Sequence, residues 1–300
     1  MGCSAPPSEF IELNFEHDLI PEGIAIDGRT KNVFLNSLKN NKIVFSKLNG
    51  ENPNTFLKSR AYGYLSGFGM TIKGDTLYAL GNSLAGPKNE SVLLLLQLST
   101  GNLIDSYSIN NGGFQYLNDL AISSKNEIFI TDSESNKVYS IQRPSKEIVV
   151  YLDSEEIAHS NGIAISSNDE HLYLASAKGI RIVEVETKKV LNQANEEYRG
   201  IDGLKFYKNK LYGIVNIFSS DKSRNGLFKY ELDKDGTEIL NSKKIVEFNE
   251  NFNIPTTFDL IDGDIYFVMN TQLDNLDEIT NSILDLKKLE PYRLMKISVQ

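Results

Sequence analysis

Three hundred residues, 40% hydrophobic and 24% charged with a net charge of −9, describe a globular chain that is neither disordered nor largely embedded in a membrane. No run of Lys or Arg exceeds two residues, so the concentrated positive surface that phosphate binding needs is missing, and nucleic acid is not expected as a partner. The apolar run Val92 to Leu96 is far shorter than the roughly 20 residues that span a bilayer and reads as a strand buried on both faces.

Residues 1–9 are expected as a flexible tail and residues 10–300 as a single domain. Cys3 is the only cysteine, so no intramolecular disulfide is available. Its setting, Met1-Gly2-Cys3-Ser4-Ala5-Pro6-Pro7-Ser8, resembles the start of a mature bacterial lipoprotein, which implies a lipid anchor at Cys3 and a place in the periplasm or cell envelope. Two readings compete with it. One is N-myristoylation, against which Pro6 stands where Ser or Thr is wanted. The other is an incidental Cys on a loose tail, which leaves a soluble cytoplasmic protein.

A strand is expected over Phe10–Phe15, before any repeat begins. A phrase then recurs six times: Glu22-Gly23-Ile24-Ala25-Ile26, Phe68-Gly69-Met70-Thr71-Ile72, Asn118-Asp119-Leu120-Ala121-Ile122, Asn161-Gly162-Ile163-Ala164-Ile165, Asp202-Gly203-Leu204-Lys205-Phe206 and Thr256-Thr257-Phe258-Asp259-Leu260. The starts are 41 to 54 residues apart, which brackets the spacing of four-stranded propeller blades. After each phrase come a polar turn, a second strand such as Leu77–Leu80 or Ile265–Val268, and a third such as Lys137–Ile141. Fourth strands are expected near 54–58, 103–109, 147–152, 189–194 and 243–248. The sixth repeat ends at its third strand, Tyr292–Val299, with no residues left for a fourth. Pairing that strand with Phe10–Phe15 would complete the last blade and cover an open sheet edge. The fold class is therefore all-β, a six-bladed β-propeller closed by its N-terminal strand. One insertion in blade six is expected to be helical, because Leu273, Leu276, Ile279, Ile283 and Leu286 step by three or four.

Residues equivalent by repeat occupy equivalent heights around the axis, which sets Glu22, Phe68, Asn118, Asn161, Asp202 and Thr256 in one ring. Four of them offer side-chain oxygens: Glu22, Asn118, Asn161 and Asp202. Two carboxylates and two amides suit a hard cation, Ca²⁺ or another divalent ion, which takes 6–8 oxygens at about 2.3–2.6 Å. The ring has no His or Cys, which disfavours zinc and copper. Each residue alone also fits an ordinary turn; agreement of four repeats in phase is what favours a metal site.

In that order, Pro21-Glu22-Gly23, Asn118-Asp119, Asn161-Gly162 and Asp202-Gly203 resemble the regucalcin/gluconolactonase (senescence marker protein) family of six-bladed propellers, with similar spacing in its diisopropyl-fluorophosphatase and paraoxonase relatives. The resemblance runs over nearly the whole chain from Phe10. It implies a divalent cation, usually Ca²⁺, on Glu22, Asn118, Asn161 and Asp202, and hydrolysis of a lactone or related ester with an acidic ligand as general base. Asp202 is the expected base, with Asp119 as a second candidate; since its strand neighbour Asn118 faces the channel, alternation points Asp119 elsewhere, and it is expected rather to support the ligands from behind.

If the chain stays extended, residues two before each ring position share its orientation. This nominates Tyr116 and His159, with Phe68 of the ring itself, as substrate contacts. Gluconolactonase-like members tend to carry Arg where this chain has Tyr116, so a ligand more apolar than a sugar-acid lactone is implied. The long loops 82–90, 216–226 and 270–291 are expected to border the mouth. The partner is then a small-molecule substrate and the protein a monomer. The competing reading, from a different class, is a non-catalytic ligand- or protein-binding propeller that keeps the ion for rigidity.

Overall fold

A computed structural model describes residues 10–84, 89–109, 113–142, 144–145, 147–217 and 222–299. The tail 1–9 with Cys3, and the tips of the loops 82–90 and 216–226, lie outside the described residues. Blade one comprises the strands Ile24–Asp27, Asn32–Asn36, Ile43–Lys47 and Asn54–Leu57. Blade two comprises Ser66–Lys73, Thr76–Asn82, Ser91–Gln97 and Leu103–Ile109. Blade three comprises Leu117–Ile122, Ile128–Asp132, Lys137–Ile141 and Val149–Asp153. Blade four has Ile163–Ile165, His171–Ser176 and Gly179–Glu184. Blade five has Ile201–Tyr207, Lys210–Val215, Gly226–Leu232 and Ile239–Glu247. Blade six is built from Asp259–Ile261, Asp264–Val268, Tyr292–Ser298 and the N-terminal Phe10–Leu13. The first strands neighbour one another in ring order, that of blade six meeting that of blade one. The fold is a six-bladed β-propeller.

Alternation along each strand gives every sheet two apolar faces, and each face packs on the next blade. Six buried clusters result, one at each interface between blades. Phe34 with Leu94 fills the interface of blades one and two, and Ile130 with Leu93 that of two and three. Phe129 with Leu174 fills three and four, Tyr173 with Leu204 four and five, Tyr212 with Phe267 five and six, and Leu35 with Tyr266 six and one. Each fully buried side chain of this size contributes about 1.5–3 kcal/mol.

The expected closure is present in register: Phe10 faces Met295, Ile11 Leu294, Glu12 Arg293 and Leu13 Tyr292. Tyr292 locks this seam from inside. Its hydroxyl donates to the His17 carbonyl at 2.6 Å and accepts from the Ile20 amide at 3.0 Å.

Two expectations are corrected. Blade four has no fourth strand near 189–194; a single bridge joins Val183 to Val190. The Asn192 side chain takes over the next rung, accepting from the Ile182 amide and donating to the Ile180 carbonyl, each at 2.8 Å. One amide side chain thus does the pairing of a strand residue.

The insertion of blade six is not an α-helix. It consists of a 3₁₀ turn at Leu273–Asn275, a hairpin pairing Leu276–Asp277 with Ser282–Ile283, and a second 3₁₀ turn at Leu286–Lys288. Its period of three to four does not make one apolar stripe. Leu276 is buried in the core while Ile279 and Leu286 are 82% and 72% exposed. Side-chain amides hold the base of this excursion. Gln272 bonds the backbone of Glu290 in both directions, and Asn275 that of Asp285. Asp277 caps the hairpin turn by accepting from Ile279 and Thr280. Such local side-chain bonds compete with helix formation.

Candidate functional site

The ring positions are reached by two local devices. In blades two, three and five the first strand is bulged where the ring residue sits: between Gly67 and Met70, between Leu117 and Leu120, and between Ile201 and Leu204. A bulge sets two residues against one and re-aims their side chains. In blades one, four and six the ring residue precedes the strand, and the backbone two residues earlier is left-handed, with φ of 50° at Ile20, 52° at His159 and 50° at Ile254. Gly200, two before Asp202, has φ of 77°. For the β-branched Ile20 and Ile254 this conformation is strained.

The assumption of an extended chain before each ring residue therefore fails in four blades. Ile20 is fully buried in the core, not in the channel wall. His159 is exposed, and its Nδ1 lies 2.9 Å from the Ser133 carbonyl. Tyr116, where the backbone is not left-handed, packs on Phe68 with ring centroids 5.2 Å apart and on Phe114 at 4.9 Å. Its hydroxyl donates to the Leu84 carbonyl at 3.1 Å. Burial, then the charges of Glu278 and Glu134, push that hydroxyl up to about 12.

The glycines after the ring residues allow neighbouring blades to meet. A Cβ on Gly69 would fall 2.6 Å from the Asn118 carbonyl of blade three. One on Gly162 would fall 2.2 Å from the Asp202 carbonyl of blade five. Blade six is tied to blade one by the Thr256 and Thr257 hydroxyls, which donate to the Glu22 carbonyl at 2.8 and 2.6 Å. The Thr256 hydroxyl is spent on this bracket.

Each of the four oxygen-bearing ring residues has one buried side-chain oxygen left without a partner. Asp202 accepts from Asn216 Nδ2 at 2.7 Å through Oδ2, while its Oδ1 is buried without a partner. Asn118 donates from Nδ2 to Ser133 Oγ at 3.2 Å, while its Oδ1 has none. Glu22 Oε2 and Asn161 Oδ1 are likewise buried and unpartnered. Among the described residues only eight buried side-chain nitrogen or oxygen atoms lack a partner, and these four oxygens are half of them. Leaving a buried polar atom unpaired costs about 1–3 kcal/mol, so four orphaned acceptors at one repeat position in four blades mark this ring as the candidate site.

The electrostatics agree. Burial pushes the Glu22 carboxyl well above its ordinary range, and the charges of Asp202 and Asp119 push the same way. Burial raises Asp202 to about 6; Asn216 and Asn161 pull against that, and the Asp119 charge adds to it. Each carboxylate thus resists ionisation, chiefly because it is buried and secondarily because other carboxylates lie near it.

Asp119 lies behind this ring. Its Oδ1 accepts from the Leu120 amide at 2.8 Å, its Oδ2 from the Ile163 amide of blade four at 3.4 Å, and Lys205 Nζ stands 3.7 Å from Oδ2. Three contributors were not anticipated from sequence: Asn216, Ser133 and Lys205. Asn at the end of a second strand recurs at Asn36, Asn82, Asn216 and Asn270, and that recurrence is the signal that finds Asn216.

The face carrying the ring is bordered as expected by the blade-six excursion. Leu276 is buried in the same cluster as Ile20, Leu38 and Phe68, with Tyr116, Leu273 and Ile283 packed against it. Asn281 donates to the Lys39 carbonyl of blade one at 3.2 Å. A cleft of about 520 Å³ opens between blades five and six, lined by Asn216, Ile217, Phe252, Asn253, Ile254 and Pro255 among others. No helix of the described residues is long and apolar enough to cross a membrane.

No protein-family model matches the chain, and no curated protein matches it by sequence. Solved structures do. A luciferin-regenerating enzyme is 12% identical over 97% of this chain and 95% of its own, with a TM-score of 0.63. A gluconolactonase from Xanthomonas campestris is 12% identical over 98% and 90%, with a TM-score of 0.62. An aldose sugar dehydrogenase from Streptomyces coelicolor, in its PQQ-bound form, is 11% identical over 99% and 100%, with a TM-score of 0.65. Their chemistries differ, and at this identity the likeness shows the fold that they share with this chain.

Proposed function

We propose that the chain is a divalent-cation-dependent hydrolase, Ca²⁺ being the ion that fits best, acting on a lactone or related ester at the mouth of the channel, as in the regucalcin/gluconolactonase-like propellers. The observation that carries this reading is the set of four buried, unpartnered oxygens on Glu22, Asn118, Asn161 and Asp202. These residues would hold the ion. When bound, it would supply Lewis-acid polarisation of the ester carbonyl and stabilise negative charge developing there.

The chain's own groups do the rest. Asp202, with Oδ2 fixed by Asn216, is suited to orient a water and receive its proton. Asp119 holds the bulged strand of blade three to blade four through Ile163 and so fixes Asn118 beside it. Phe68, Tyr116 and Phe114 form an aromatic wall, which favours an apolar acyl or alcohol portion over a sugar acid. The likeness to a gluconolactonase and a luciferin-regenerating enzyme is compatible with this class.

A second reading is favoured by Tyr116 and His159. The Tyr116 hydroxyl is engaged with Leu84, and His159 is exposed beside Ser133 rather than buried at the ring, so Tyr116 is not free to protonate a leaving group and His159 stands off from the ring. On that reading the ion is structural and the propeller binds a ligand without turning it over. Hydrolysis of a panel of aliphatic and aromatic lactones, followed by acid release, separates the two. Turnover abolished by chelator, restored by Ca²⁺ and lost in Asp202→Asn supports the hydrolase; a cation-loaded wild type that turns over no ester supports the second reading.

A further inference from the structure

Lys205 stands three residues after Asp202 on the first strand of blade five. Its ammonium lies 3.7 Å from Asp119 of blade three, and only 19% of its side chain is exposed. Asp119 is itself almost fully buried. Asp259 of blade six fixes blade one, accepting from the Ile26 amide at 2.7 Å. Lys205 draws the Glu22, Asp119 and Asp259 carboxyls back toward ionisation against the burial that raises each of them. Lys205 is thus the ammonium that Glu22, Asp119 and Asp259 feel in common, and Asp202 in turn feels the charge of Asp119.

A buried charge is tolerated only when paired, and an ammonium also repels any second cation in the same low-dielectric space. We propose that Lys205 is a resident counter-cation: it holds the acidic channel together when no metal is bound, and it weakens capture of a divalent ion by the ring above. This rests on the ring being a cation site. It makes Lys205 a positioning residue whose effect is read in affinity and in the stability of the metal-free protein.

The charges around the ring order the expected affinities. Lys205→Met adds one net negative charge, Asp119→Asn removes one, and the double variant restores the starting balance. Titration calorimetry of Ca²⁺ into chelator-stripped full-length protein should give Lys205→Met about tenfold tighter binding than wild type and Asp119→Asn about tenfold weaker. The double variant should fall within about threefold of wild type. In chelator, thermal melts should show Lys205→Met destabilised and the double variant recovered. If Lys205→Met does not fold, the comparison of wild type, Asp119→Asn and the double variant still decides. Affinity that is unchanged across these variants, or weaker in Lys205→Met, overturns the proposal. With Glu22→Gln and Asp202→Asn still abolishing uptake, that result leaves the ring site standing; a wild type that takes up no Ca²⁺ overturns both.

Discussion

Asn216 Nδ2 donates to Asp202 Oδ2 at 2.7 Å and to the Pro255 carbonyl at 2.9 Å, so one amide fixes the blade-five carboxylate and ties it to blade six. The other oxygen of that carboxylate is buried and unpartnered. This division of labour, one oxygen braced and one left over, would give Asp202 a fixed direction as a ligand of the proposed ion. Asn216→Ala is expected to weaken Ca²⁺ binding about tenfold and to cost on the order of 2 kcal/mol of stability, since a hydrogen bond to a buried charge is lost. Calorimetric titration and urea denaturation in chelator measure the two effects; a variant indistinguishable from wild type in both would show that Asn216 does not brace the site.

The metal-free protein should respond to pH in a characteristic direction. The folded-state carboxyl of Asp202 is raised to about 6 from an ordinary 3.8, so the fold prefers its protonated form. Its stabilising contribution is present below about 3.8 and is lost as pH rises through about 6, on the order of 3 kcal/mol in all. In chelator, wild type minus Asp202→Asn should therefore lose stability between pH 4 and pH 7. Saturating Ca²⁺ should cancel that loss by favouring the ionised carboxylate. Urea midpoints across this pH range, with and without Ca²⁺, provide the check. A difference that grows with pH in chelator contradicts the raised carboxyl.

The closure of the ring hangs on Tyr292, whose hydroxyl bonds both His17 and Ile20. Tyr292→Phe is expected to cost about 1–3 kcal/mol, because it leaves the buried Ile20 amide without that acceptor. Amide exchange should accelerate first in Phe10–Leu13 and the strand it pairs with. Acceleration spread evenly over all six blades would contradict a local seam.

The excursion between Asn270 and Pro291 joins a packed base to an exposed tip. Leu276 belongs to the core, whereas Ile279 points to solvent. Replacing residues 278–281 by a short glycine linker should leave stability within about 1 kcal/mol while changing the relative rates on small and bulky lactones. Leu276→Ala should instead cost about 2–4 kcal/mol. Unchanged substrate preference in the linker variant would remove the excursion from the specificity account.

The blades were legible because a propeller repeats one phrase in one phase, and because the surplus N-terminal strand matches the deficit at Tyr292–Ser298. The same phrase nominates Glu22, Asn118, Asn161 and Asp202, which fall at one position of it and whose oxygens are buried without partners. What the sequence hid is non-repetitive. Left-handed residues at Ile20 and Ile254 are not foreshadowed by residue type, since a β-branched side chain ordinarily avoids that conformation, and a His at position 159 adopts it too seldom to signal it. They broke the alternation argument that placed His159 beside the channel. Asn192 replaces a strand through its side chain, which no strand propensity reveals. In the blade-six insertion, a spacing of three to four suggested a helix, but Gln272, Asn275 and Asp277 each bond backbone locally and turn the chain instead. Lys205 was concealed inside an otherwise ordinary strand and acquires meaning only beside Asp119 of another blade.

Convergence of Glu22, Asn118, Asn161 and Asp202 on one ion is the claim on which the chemistry stands. The direct test is metal content by elemental analysis and Ca²⁺ titration of the stripped full-length chain, alongside Glu22→Gln and Asp202→Asn. One ion per chain in the wild type, with affinity reduced at least a hundredfold in either variant, is the predicted result. A wild type without a stoichiometric ion, or variants that bind as tightly as it does, would contradict the account.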